Sequence, residues 1–237
     1  MPNKIELATL MLAALSLGCD KRRVSGTAWF DDEIMQVDVS LDASDVHVNT
    51  SGDATPSVDY DVRYLAGKTP TITAEVEEGV LRVRQSCKWS CSGRFTINVP
   101  ASTDAKISVA SGNAEVEGLE GDADISAASG NIHIRDMSGD LDLSVASGNI
   151  SGSGSSLICK ARSESGNINL KFTEAPEELA FSADSGNIDV KVPMSSYDIH
   201  ASVTSGSKRI RSLTIDEDSS SHIAASARSG DITIEGF

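Results

Sequence analysis

Ile107-Ser108-Val109-Ala110-Ser111-Gly112-Asn113 returns 18 residues later as Ile125-Ser126-Ala127-Ala128-Ser129-Gly130-Asn131, and after 18 more as Leu143-Ser144-Val145-Ala146-Ser147-Gly148-Asn149. The Ser-Gly doublet continues at Ser165-Gly166, Ser185-Gly186, Ser205-Gly206 and Ser229-Gly230, at spacings of 18, 20, 20 and 24. A near-fixed period of this length marks one supersecondary unit stacked on copies of itself.

Alignment on the glycine exposes the interior. Two residues after it stand Ala114, Ile132, Ile150, Ile168, Ile188 and Ile232, and four after it Val116, Ile134, Leu170, Val190, Ile210 and Ile234. Before it, apolar rows recur at seven residues (Leu141, Cys159, Leu179), five (Ile125, Leu143, Phe181) and three (Val109, Val145, Val203). Polar residues fill the positions between. This is period-two alternation in two short arms per coil, which predicts half-buried strands. Gly supplies positive φ at the corner between the arms, and Asn tolerates the turn and can bond nearby backbone. Stacking at constant period needs no hairpin. The expected fold is therefore all-β, a parallel β-solenoid of about 18-residue coils over 101–237. Seven doublets at about 4.8 Å per strand imply a rod roughly 30 Å long. Gly152 and Lys208 occupy inward positions, so the coil at Gly206 is expected to be irregular.

Residues 28–100 lack the period but still alternate, as in Val37-Val39-Leu41 and Val58-Tyr60-Val62. Glu77-Glu78-Gly79 reads as a hairpin turn. The segment is expected to form a β-rich cap that hides the first open sheet edge.

The first 18 residues read as a signal peptide: Lys4, then an apolar stretch over 7–17 too short to span a bilayer. The stretch ends in Leu15-Ser16-Leu17-Gly18-Cys19 and resembles a bacterial lipobox. That resemblance implies lipidation at Cys19, a tether over 19–27, and the membrane as a partner through the N-terminal lipid. The chain carries 20 basic and 35 acidic residues, net −15, and the loss of Lys4 and Glu6 with the signal cancels. Such a field opposes nucleic-acid binding and argues against docking onto anionic lipid by charge, so the lipid is expected to anchor alone.

Cys87 and Cys91 flank a three-residue loop between strand-like runs. In an oxidising compartment a disulfide is the favoured reading, with free thiols and a metal site as alternatives. Cys159 falls on an inward row and reads as a small buried hydrophobe.

Val99-Pro100 followed by the Ser-Gly-Asn repeats resembles a bacterial family whose members carry the name "putative adhesin", over roughly 30–237. The resemblance implies a β-solenoid at the cell envelope, lipid-anchored and periplasmic or surface-exposed, with a non-catalytic role and no cofactor.

Motifs for chemistry are weak. The Asp122, Asp124, Asp140, Asp142 ladder lacks the denser glycine pattern of calcium-binding repeats. The four histidines fit no catalytic or metal spacing. The function expected is a binding or scaffold lipoprotein for an envelope protein or glycan; the alternatives are a polysaccharide-active β-helix enzyme and a purely structural spacer. The candidate contact strip is Arg135, Lys171, Lys191 and Arg211, five residues after their glycines, with Tyr197 beside it. Coils lengthen over 173–178, 193–198 and 212–221, always between the arm after one Gly and the arm before the next. These stretches are expected to meet in space as one working face.

Overall fold

The computed structural model describes residues 21–52, 55–88 and 90–237. The expected signal peptide and Cys19 lie outside the described residues. Seven strands precede the regular repeats: β1 (Lys21–Trp29), β2 (Gln36–Leu41), β3 (Asp45–Thr50), β4 (Ser57–Leu65), β5 (Thr71–Glu77), β6 (Val80–Ser86) and β7 (Cys91–Val99). The repeats give paired arms: β8 (Asp104–Ser111) with β9 (Ala114–Glu117), β10 (Ala123–Ser129) with β11 (Ile132–Met137), and β12 (Leu141–Ser147) with β13 (Ile150–Gly154). They continue as β14 (Ile158–Ser165) with β15 (Ile168–Phe172), and β16 (Glu178–Ser185) with β17 (Ile188–Val192). Then come β18 (Ser196–Ser205) with β19 (Lys208–Arg211), the short β20 (Thr214–Ile215), and β21 (His222–Ser229) with β22 (Ile232–Gly236).

These strands form two 11-stranded sheets, each coil giving one arm to each sheet. The parallel solenoid that the repeat predicts is the fold. The inward rows face each other across a continuous core: Ile132, Ile150, Ile168, Leu179 and Ile232 are all fully buried. Register is strict along the stack, with Ile132 opposite Ala114 and Ile150, and Leu143 opposite Ile125 and Ala161. A one-residue slip would turn every one of these side chains outward, so the alternating pattern pins the register.

Space and sequence disagree on coil order at both ends. β21 and β22 insert between the β16–β17 coil and the β18–β19 coil. The Gly206 coil is therefore the last of the rod. It is regular, in full register with its one neighbour. Ile199, Ala201, Val203 and Ile210 are only partly buried because no further coil of the described residues covers their far flank. Lys208 stands where other coils carry Ile, and its ammonium escapes the end of the rod to donate to the Ala201 carbonyl at 3.1 Å. The 24-residue interval before Ser229 is the length the chain uses to step back over its own last coil.

Residues 28–100 are more than a cap. β2 and β3 make a coil that stacks directly on β8 and β9, and β6 and β7 make another beyond it. Setting aside β1 and β4 in one sheet and β5 and β20 in the other leaves nine coils, not seven. Eight gaps at about 4.8 Å make a stack of roughly 38 Å. Antiparallel strands finish this end: β4 and β1 extend one sheet, and β5 closes the other through the hairpin at Glu78-Gly79. Phe30, Tyr60, Tyr64 and Phe95 plug it, with the Tyr60 and Phe95 rings stacked at 6.1 Å. The tether expected over 19–27 is corrected too: Lys21 to Trp29 is a strand, paired residue by residue with β4.

Candidate binding faces

The Ser-Gly-Asn corner is structural. Gly130 has φ 146°, and a Cβ there would lie 1.8 Å from the Gly112 carbonyl oxygen. Each corner Asx side chain accepts the backbone N–H of the Asx above it. Asp45 takes Asn113, Asn113 takes Asn131, Asn131 takes Asn149, Asn149 takes Asn167, Asn167 takes Asn187 and Asn187 takes Asp231, at 2.8–3.0 Å. Asp231 ends the ladder on Ser207, accepting from its N–H and its hydroxyl at 2.8 Å each. Those two donors hold the Asp231 carboxyl below its ordinary range. The opposite corner works the same way. Asp104 and Asp122 accept the N–H groups of Asp122 and Asp140 at 3.0 and 2.9 Å, so the Asp122 carboxylate of the acidic ladder is spent on backbone.

The cation row divides in two. A β-bulge at Asp136 (φ 52°) breaks the register between Arg135 and the following coil. Arg135 donates to Glu117 at 2.9 Å and lies 3.8 Å from Glu115. His47 and His133 flank Glu115 on the neighbouring strands. His47, Glu115 and Glu117 bring ligand atoms within 4.8 Å of one another, and the Arg135 guanidinium pairs with both carboxylates. Further along the rod, Lys171 stacks its ammonium 4.2 Å over the Phe237 ring. Lys191 and Arg211 stand on either side of Glu235. Tyr197 does not belong to the strip. It is fully buried, its hydroxyl donates to the Pro193 carbonyl at 2.8 Å, and burial raises its pKa. Its place two residues before inward Ile199 continues the core row, a signal the sequence carried.

The three lengthened stretches do meet. Thr214 and Asp216 donate backbone N–H to Ser195 and Tyr197, at 3.3 and 3.0 Å. Asp198 donates to Ser221 at 2.9 Å, and His222 to Glu177 at 2.8 Å. Along this edge stand Met194 at 67 % exposure, Ile215 at 56 %, Phe237 at 47 % and Leu157 at 41 %. Phe237 is tied to the edge by backbone bonds with Val192 and Met194. Lys171, Lys191 and Arg211 lie just inside it on one sheet. On the other, Asp198 sits between His200 and His222, with N–O distances of 3.2 and 3.0 Å. Asp198 and His222 hold the same place before their glycines, Gly206 and Gly230, so that grouping was carried by the repeat register.

A second concave region lies on the outer face of β1, β4 and β7, lined by Ser25, Thr27, Asp59, Asp61, Arg94 and Thr96. Arg23 pairs with Asp61, and Thr27 bonds Asp59. Cys87 and Cys91 are joined, with Cα atoms 6.3 Å apart, and staple the corner of a coil that has no Ser-Gly-Asn. Cys159 is buried, and burial pushes its thiol pKa far up.

Residues 31–235 match the model of the Toastrack DUF4097 family. No curated protein matches the chain. Among solved structures, a "putative adhesin" from Bacteroides fragilis is similar, with TM-score 0.58 and 17 % identity over 94 % of this chain and 100 % of that one. A "putative adhesin" from Parabacteroides distasonis gives TM-score 0.47 and 16 % identity over 92 % and 98 % of the two chains. A "putative lipid binding protein" from the same species gives TM-score 0.40 and 14 % identity over 91 % and 96 %. At these identities the likeness speaks to fold alone.

Proposed function

Since the chain belongs to the Toastrack DUF4097 family, we propose that it is a non-catalytic binding protein of the bacterial cell envelope, lipidated at Cys19, whose working surface is the long-loop edge. The observation behind this reading is the gathering of three lengthened loops and four exposed apolar side chains on one edge of a rigid rod. Along the middle of the rod the outer Ser108, Ser126 and Ser144 row offers only small polar side chains. A mixed apolar and charged edge offers a partner desolvated contact at its centre and charge at its rim. The partner class is an envelope protein or glycan.

The test is capture from intact cells by crosslinking. Shortening 212–221 is unsuitable, because that stretch carries the chain back over its last coil. The variant is instead Met194→Ser with Ile215→Ser and Phe237→Ser, all at exposed positions. Capture is expected to fall at least tenfold while the thermal midpoint holds. Undiminished capture would refute the edge as the working surface, and capture of nothing by the wild-type protein would favour a spacer.

A further inference from the structure

The chain is strongly acidic, yet one corner of the rod is basic. Lys21, Arg22 and Arg23 open β1 and are all exposed. Lys21 lies opposite exposed Leu65, and Arg23 opposite exposed Arg63. Lys68 follows in the turn that bonds back to the Leu65 carbonyl. The disulfide loop, with exposed Lys88, adjoins them, since Cys91 pairs with Tyr64. Six of the 20 basic residues thus surround the point where the described chain begins. Of the carboxylates nearby, Asp61 is held by Arg23, Asp42 accepts the Cys87 N–H, and Asp20 precedes Lys21 in the sequence. The corner occupies the end of the rod remote from the long-loop edge.

Cys19 precedes Lys21 by two residues, a reach of at most about 7 Å. A lipid on Cys19 therefore brings this corner within about a Debye length of the headgroups. We propose that the basic corner docks on anionic phospholipid headgroups as a second membrane anchor beside the lipid, setting the rod on its β1 end with the long-loop edge held away from the bilayer. Each Lys or Arg at such a surface strengthens binding about fivefold. A single saturated chain gives only marginal, reversible attachment, the regime in which the contribution of the basic corner can be measured. The inference rests on the lipidation reading, and the experiment separates the two.

Every described strand lies within 21–237, so a chain beginning at Cys19 contains all of them. In that chain Cys159 is buried and Cys87 is bonded to Cys91, which leaves Cys19 as the reactive thiol. A tetradecyl maleimide on Cys19 supplies one acyl chain whether or not cells do. Partition is measured by sedimentation with phosphatidylcholine vesicles and with vesicles also containing phosphatidylglycerol, at low salt. Docking predicts at least tenfold tighter binding to the anionic vesicles. Lys21→Glu with Arg22→Glu and Arg63→Glu removes that preference, and the milder Gln triple variant weakens it. Lys171→Glu with Lys191→Glu and Arg211→Glu, remote from the corner, leaves it unchanged. Without docking, the net charge of −15 makes the conjugate avoid anionic vesicles. Weaker or equal binding to anionic vesicles, or equal loss in the remote variant, overturns the proposal. Lipidation in cells is read separately, from the mass of the mature N-terminus.

Discussion

A single Asn per coil is responsible for the sharpness of the solenoid corner. Its side-chain oxygen accepts a backbone N–H that would otherwise be left unpaired where two sheets part. Asp stands in for Asn at Asp45 and Asp231, where the ladder begins and ends. The Asp231 carboxyl, with its pKa lowered, stabilises the fold in its charged form. That contribution is present above the ordinary carboxylate range and is lost as pH falls through the lowered value. Replacing Asn149 with Ala removes the acceptor for Asn167 and leaves that N–H orphaned, at a cost of about 1–2 kcal/mol. Asn149→Asp keeps the acceptor and is expected to cost less than half of that. Denaturant midpoints of the two variants check the difference, and equal losses would mean that the ladder does not stabilise the corner. The ladder was legible in the sequence as a turn signal. That the oxygens bond upward to the next coil was not, because this depends on the stacking distance.

Among the strands, the inward rows followed directly from the repeat, and so did their register. Coil order did not. Every coil presents the same rows, so any coil can stack on any other, and a periodic pattern fixes position only to within one coil. The connections decide it, and the clues were the 24-residue interval and Lys208, a charged residue on an Ile row that fits only at an open end. The coil of β2 and β3 escaped notice because Ser44-Asp45 replaces Ser-Gly-Asn, and that of β6 and β7 because a disulfide replaces it. Adjacent strands put facing Cα atoms about 4.8 Å apart and next-but-one strands nearly twice that, so a disulfide can join only the former. Ser182 faces Ser226, and Ser226 faces Ser202. Ser182→Cys with Ser226→Cys is expected to crosslink on oxidation, whereas Ser182→Cys with Ser202→Cys is not. The reverse outcome would restore sequential stacking.

At the scale of the whole molecule the two ends differ in character. The β1 end is basic, capped by aromatic side chains and closed by antiparallel strands; toward the other end the loops lengthen. Stiffness comes from two sheets that share one core, so the ends are held roughly 40 Å apart, the span of nine coils. The proposed function makes the rod a presentation device, and its central claim concerns which surface meets the partner. The most direct test places a photoreactive amino acid at Met194 or Ile215 on the long-loop edge, at Ser129 on the Ser-Gly-Asn corner, and at Ser126 on the outer Ser row. Each form is irradiated on living cells. The account predicts discrete protein or glycan adducts from positions 194 and 215 and none from the other two. Adducts from Ser129 or Ser126, with none from the long-loop edge, would contradict it.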